Sequence, residues 1–191
     1  MNPHPDRRER AVARQQRRDA RPMDEAWLQH QAMHYVERFA ASAAGVRRVL
    51  EGRVRRPFAR TGEDGSVVRA AIGAVIGKLE ALGHVDDSRF ARDLAERLRG
   101  QGHSLAALRS RLRTKGVRDD LIDALTRAAD GDLELRAAWR AAQRRRLGPY
   151  CRDPARRVAD RQRHLATLGR LGFSYDIARQ VIHAAEPPAA C

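Results

Sequence analysis

The sequence repeats itself on the scale of a few helices, and this repetition limits the possible folds more than any other feature. Residues 42–50 align with residues 104–112 at a constant offset of 62, which matches a helix cap, two core positions and an arginine. Residues 116–125 align with residues 172–181 at a constant offset of 56. Degenerate copies of this kind indicate stacked helical units in which each copy shares its core with a neighbour.

Apolar residues recur at helical spacing from Asp24 onward, and no stretch longer than a few residues alternates with the period of a strand. The sequence therefore predicts an all-α fold, a tandem array of three three-helix repeats that is elongated and curved. The boundaries expected for the repeats are 24–84, 86–130 and 132–185. Residues 57–66, which hold one proline and two glycines, predict a loop within the first repeat.

The two ends of the chain differ from the repeats in composition. Residues 1–22 carry seven arginines against three acids and hardly any large apolar residues, so they predict a disordered basic arm. Residues 186–191 predict a flexible tail. A solvated arm and an arm that attracts polyanions are both compatible with this composition.

The chain of 191 residues has a formal charge of +14, and only Lys78 and Lys115 among its 38 cations are lysines. Arginine keeps its charge at any cellular pH and presents a planar fork to phosphate or carboxylate, so an anionic partner is expected. Nine aromatic residues are few, which argues against a protein that binds single strands mainly by stacking bases.

Arginines are placed on the helices opposite the apolar side chains. On the helix that follows Asp87, the apolar residues cluster on one side while Arg89, Arg92 and Arg99 occupy the other. Residues 116–135 are acidic between two basic segments, and such segregation favours electrostatic steering to a polyanion over a merely solvated surface. The residues predicted to bind DNA or a filament are Arg89, Arg92, Arg99, Arg109, Arg113, Lys115, Arg140, Arg144, Arg145, Arg156 and Arg157.

The sequence offers weak support for a metal site. His30 and His34 have the i, i+4 spacing of a zinc protease motif, but Gln31 stands where that chemistry needs a glutamate base. Cys151 and Cys191 lack neighbouring ligands at the spacing of a structural zinc site. We expect surface histidines, no metal and no cofactor.

Catalysis is not predicted either. Asp86 and Asp87 are adjacent carboxylates, but a role at the start of the following helix explains them more simply than acid–base chemistry. No serine or cysteine has a recognisable nucleophile elbow or a neighbouring base. With no signal peptide and no apolar run long enough to span a bilayer, a non-enzymatic cytoplasmic protein is expected.

The string Gly83-His-Val-Asp-Asp-Ser-Arg-Phe-Ala91 resembles the signature that proteins of the RecX family carry between their first two three-helix repeats. Lys115-Gly-Val117 resembles the second repeat of that family, and Leu171-Gly-Phe173 resembles its closing repeat. His84 departs from the large residue usual at its position. The family-motif residues expected to act structurally are Asp86, Asp87, Phe90, Gly116, Gly172 and Phe173.

The resemblance implies a regulator of the RecA recombinase in DNA repair, recombination and the SOS response. Such a protein binds the recombinase filament on DNA and inhibits its ATP hydrolysis, strand exchange and coprotease activities. The implied partners are the RecA filament and single-stranded and double-stranded DNA, contacted through phosphates. No membrane partner is expected from the short apolar runs, and a monomer is expected as the default for a finite array of three repeats. The alternative is a sequence-independent DNA-binding protein built from helix-turn-helix-like units.

Overall fold

A computed structural model describes residues 24–61, 65–127 and 131–189, except for the side chains of residues 56–61. The predicted basic arm lies outside these ranges. Within them the chain forms ten α-helices, one 3₁₀ helix and no strand, which confirms the all-α prediction. The helices are α1 Glu25–Val36, α2 Ala43–Thr61, α3 Gly65–Ala81, α4 Asp87–Gly100, α5 Leu105–Thr114, α6 Asp119–Arg127, α7 Gly131–Arg145, the 3₁₀ helix Gly148–Tyr150, α8 Pro154–Ala159, α9 Arg161–Arg170 and α10 Tyr175–His183.

The chain divides into two compact units, one ending at Asp86 and the other beginning at Asp87. In the first unit α1, α2 and α3 pack on one another around the fully buried side chains of Leu28, Leu50 and Ile72. The hydroxyl oxygen of Ser42 accepts from the backbone N–H of Gly45 at 3.1 Å and thereby caps the start of α2.

The predicted loop at residues 57–66 is helical at residues 57–61 and 65–66, so the prediction is wrong for these residues, and residues 62–64 lie outside the described ranges. The backbone of α2 continues to Thr61, and α3 already begins at Gly65. Pro57 removes one backbone donor from the helix, but the donors on either side of it still allow the helical path to continue.

The second unit reproduces the offsets found in the sequence. Helices α5 and α9 have the same length and are displaced by 56 residues at both ends, and the same holds for α6 and α10. Helix α5 also begins 62 residues after α2. The alignment of the repeats is therefore confirmed at the level of helix positions.

The second unit contains two helix groups, each with its own buried cluster. Helices α4, α5 and α6 form the second helix group, which encloses Leu94, Leu108 and Ile122. Helices α7 to α10, the third helix group, enclose Leu168 and Val181. Helix α8 is an additional short helix without a counterpart in the second group.

A seam joins these two groups through close backbone approaches. Gly102, in the turn between α4 and α5, has φ +76°, and a Cβ there would lie 2.8 Å from the backbone nitrogen of Ala141 on α7. Gly172, after α9, has φ +90°, and a Cβ there would lie 2.7 Å from the hydroxyl of Ser104. Because contacts this close leave no room for a side chain, the two groups fix each other's position.

Candidate nucleic-acid interface

Four arginines from three helices line one cleft of about 300 Å³ in the second unit. Arg111 extends from α5, Arg144 and Arg145 form the last turn of α7, and Arg170 ends α9. The described residues that line this cleft include no Asp or Glu. Like charges in a concave site focus the field outward, and planar guanidinium groups match the geometry of phosphate oxygens.

The seam positions the helix ends that carry these arginines. Arg144 donates to the carbonyl oxygen of Gln101 at 3.4 Å, so the end of α7 is tied to the turn that precedes α5. Ser104 donates to the carbonyl oxygen of Leu171 at 2.5 Å, which ties the start of α5 to the end of α9. The side chains of Arg144 and Ser104 thus join the ends of α7 and α9 to the turn before α5.

His103 lines the same cleft beside the arginines and is half-buried. Burial lowers the pKa of its imidazole, and the positive charges of Arg111, Arg145 and Arg144 lower it further. Burial and these positive charges therefore favour the neutral form of the imidazole.

Glu134 and His103 both line a separate small cavity of about 10 Å³, together with Arg99. The two carboxylate oxygens of Glu134 accept from the backbone N–H of Leu105 at 3.1 and 2.9 Å. Burial raises the pKa of this carboxyl, while the hydrogen bond from Leu105 and the charge of Arg99 oppose the rise. This carboxylate thus satisfies the N-terminus of α5 across the seam.

The predicted arginine row on α4 is only partly exposed to solvent. Arg89 and Arg92 are exposed, as predicted. Arg99 is half-buried and donates to the carbonyl oxygen of Leu125 at 3.0 Å, which fastens α4 to the end of α6. The prediction that Arg99 faces solvent is wrong, because the helix after Gly116 returns over that end of α4.

Two further predicted arginines pair with the acidic helix that follows them. Arg109 donates to Asp123, and Arg113 donates to Asp119 at 2.7 Å. The hydrogen bond from Arg113 to Asp119 raises the pKa of the guanidinium. The charge that is segregated along the sequence is therefore partly neutralised in space on this flank of α5.

Arg140 and Arg157 donate hydrogen bonds to backbone carbonyls of the second unit. Arg140 donates to the carbonyl oxygen of Arg99 at 3.2 Å across the seam. Arg157 donates to the carbonyl oxygens of Ala184 and Ala185, the first two residues after α10. Both guanidinium groups satisfy carbonyls at helix ends, where positive charge also complements the helix dipole.

The remaining predicted residues lie apart from one another. Arg156 is exposed and pairs with Asp153 at 3.7 Å. Lys115 is exposed at the C-terminal cap of α5. Of the eleven predicted binding residues, only Arg144 and Arg145 line the cleft.

Sequence reasoning missed Arg111, Arg170 and His103. A signal for Arg111 was present, because at about 100° per residue it lies about 200° around α5 from Arg109 and therefore faces away from α6. The convergence of Arg111 with the ends of α7 and α9 depends on the seam, which no local pattern reports.

The residues of the family motif occupy structural positions. Phe173 is 4% exposed within the core of the third helix group, and Phe90 packs against the core of the second. Asp87 begins α4, directly after Asp86. Gly116, with φ +79°, follows α5 as Gly172 follows α9.

Comparison with known proteins places the chain in a family. The family model described as the second three-helix domain of RecX matches residues 86–125, the region of α4 to α6. A "Regulatory protein RecX" from Myxococcus xanthus (strain DK1622) is 34% identical over 163 residues, which cover 85% of this chain and 87% of the relative. The chain belongs to the RecX family.

Other RecX proteins match over shorter stretches. The Regulatory protein RecX of Streptomyces coelicolor is 30% identical over 141 residues, covering 72% of this chain and 73% of the relative. That of Mycobacterium avium is 32% identical over 111 residues, covering 57% and 62% respectively. No solved structure matches the chain.

The described ranges of this RecX protein contain neither a metal-binding group nor a membrane-spanning helix. His30 and His34 are exposed on α1, and no group of three or more His, Cys, Asp or Glu side chains there could hold a metal ion. None of the helices in these ranges has both the length and the apolar character that crossing a bilayer requires.

Proposed function

We propose that this RecX protein inhibits the RecA recombinase by binding the RecA–DNA filament, and that it thereby reduces ATP hydrolysis, strand exchange and coprotease activity. The observation that carries the proposal is the cleft of Arg111, Arg144, Arg145 and Arg170, whose lining has no acid. A filament on DNA presents continuous phosphate, which is the anion that such a cleft suits.

The distribution of paired arginines supports this surface over others. On α5, Arg109 and Arg113 are engaged by the acids of α6, whereas Arg111 on the opposite flank extends into the cleft. Positive charge therefore faces outward at the cleft, and Arg89 and Arg92 are exposed on α4. We assign these two surfaces to contacts with the filament.

The proposed action is occupancy rather than chemistry. A rigid basic surface that holds DNA phosphates between recombinase subunits obstructs the rearrangements that ATP turnover and strand exchange require. No bond needs to be made or broken by the regulator, so the protein is proposed to be non-catalytic and to act in the cytoplasm, where the recombinase works on DNA. Its role would then belong to DNA repair, recombination and the SOS response.

The test measures single-strand-dependent ATP hydrolysis by a bacterial RecA while this protein is added at concentrations too low to coat the DNA. We expect hydrolysis to fall at these substoichiometric concentrations. Inhibition that begins only when free DNA is saturated would contradict filament regulation and favour a general DNA-binding protein that competes for the strand.

A further inference from the structure

We infer that phosphate groups of a single nucleic-acid strand occupy the cleft of Arg111, Arg144, Arg145 and Arg170, and that their binding brings a proton to His103. The identity of the anion rests on the proposed function. The cleft and the position of the imidazole within it rest on the structure of the second unit alone.

The size and lining of the cleft favour a strand's phosphates as occupant. A cleft of about 300 Å³ has room for more than one water-sized group, and so for adjacent phosphate groups. No Phe, Tyr or Trp ring is among the residues that line the cleft, so it lacks the aromatic platform on which bases most often stack. Acidic peptides need pockets for their neighbouring side chains, whereas only Ala107 and Leu171 are apolar here.

The charges around His103 make its protonation depend on an anion. Arg111 lies on α5, Arg144 and Arg145 on α7, and Arg170 on α9. Glu134 and Arg99 line the small cavity that His103 shares with them. The cluster around the imidazole is thus strongly positive, and bound phosphates would offset that charge and accept a hydrogen bond from the imidazolium.

The sign of the linkage follows from this arrangement. Without an anion, burial and the nearby arginines hold the pKa of His103 below its usual value. Bound phosphate raises it, so binding takes up a proton at any pH between the two values. Affinity therefore increases as pH falls through that window and becomes independent of pH above it.

The first test compares two double variants that remove the same charge. The cleft variant, Arg111→Gln with Arg145→Gln, removes two of the four arginines that line the cleft. The control variant, Arg127→Gln with Arg179→Gln, removes two exposed arginines of α6 and α10 that lie outside it. Within the described ranges these four guanidinium groups make no hydrogen bond or ion pair, so all variants should fold, as checked by circular dichroism.

Binding of a fluorescein-labelled oligothymidylate is measured by anisotropy across a salt series, without recombinase. We expect the cleft variant to bind about tenfold more weakly, with a salt slope lower by about 1.4, since each lost contact to a single strand removes about 0.7. The control variant should change affinity less than about threefold, through its charge alone. Equal losses of affinity in both variants, or an unchanged affinity of the cleft variant, would overturn the inference that the strand binds in the cleft.

Competition distinguishes the sources of the anion. Inorganic tripolyphosphate should displace the labelled strand from the wild type and compete much less against the cleft variant. If a polyglutamate peptide of equal charge displaces the strand more effectively than tripolyphosphate, the occupant is an acidic protein segment and the inference is wrong.

The proton linkage is tested with His103→Asn and, as a control, His183→Asn at the exposed end of α10. We expect wild type and the control to bind the strand about fivefold more tightly at about pH 5.5 than at about pH 7.5, and His103→Asn to lose most of this difference. The same pH dependence in His103→Asn would overturn the linkage. Because no recombinase is present, these results leave the proposed inhibition to its own assay.

Discussion

The hydroxyl of Ser104 makes two contacts that join neighbouring helix groups. It accepts from the backbone N–H of Ala107 at 3.2 Å and so caps α5, and it donates to the carbonyl oxygen of Leu171 at 2.5 Å, at the end of α9. Ser104 is fully buried. A single side chain therefore caps the start of α5 and donates a hydrogen bond to a carbonyl at the end of α9. This shared hydroxyl stabilises the seam between the two helix groups.

Replacing this side chain is expected to weaken the second unit. Ser104→Ala removes the cap and leaves the carbonyl oxygen of Leu171 without this donor, so we expect the free energy of unfolding to fall by about 2–3 kcal/mol. Ser174→Ala removes only the cap of α10, from an exposed serine that accepts from Ile177, and should cost about 1 kcal/mol. Denaturant unfolding measures both, and equal losses would contradict the double role of Ser104.

Gly172 is expected to tolerate no side chain. In Gly172→Ala the new methyl carbon would lie 2.7 Å from the hydroxyl of Ser104 at a backbone φ of +90°, so we expect a loss of about 2–4 kcal/mol in unfolding free energy. Gly169→Ala lies three residues earlier with nothing within 4 Å, and should stabilise α9 by about 0.5 kcal/mol. Thermal unfolding of the two variants gives the comparison, and a neutral Gly172→Ala would show that the seam can open there.

A buried histidine should make stability depend on pH. His164 is 8% exposed and its Nδ1 accepts from the backbone N–H of Gly148 at 3.2 Å. Burial lowers the pKa of this imidazole, and the charge of Arg163 lowers it further, against an opposing effect of Asp160. Because the folded-state pKa lies below the unfolded value of about 6.5, the stabilisation is present above that value and is lost as pH falls through the folded pKa.

The His164 prediction is tested with His164→Gln, which keeps an acceptor but does not titrate. We expect the melting temperature of the wild type to decrease between about pH 7 and about pH 5 and the variant to show a smaller decrease. His183→Gln, at an exposed position, serves as the control and should follow the wild type. If His164→Gln retains the full decrease, other groups cause it.

The sequence was informative about helices and much less so about which charges meet. Repeat offsets predicted the positions of α5 and α9 because caps and apolar spacing are local. The cleft depends on Gly102 approaching Ala141 across the seam, a contact between residues about forty positions apart that leaves no local pattern. Arg109 was predicted to bind an external anion, whereas the fold supplies it with Asp123.

The two flanks of α5 should therefore respond differently to loss of the same charge. Arg111→Gln removes a cleft arginine, so we expect weaker inhibition of RecA ATP hydrolysis, with several-fold more protein needed for half-maximal effect and unchanged thermal stability. Arg109→Gln removes the partner of Asp123, so we expect the free energy of unfolding to fall by up to about 1 kcal/mol, with a slightly lower melting temperature. Inhibition should be largely retained. Titrating each variant against the recombinase under identical salt provides the measurement. Should Arg109→Gln impair inhibition more than Arg111→Gln, the filament contact lies on the α6 side of the helix and not at the cleft.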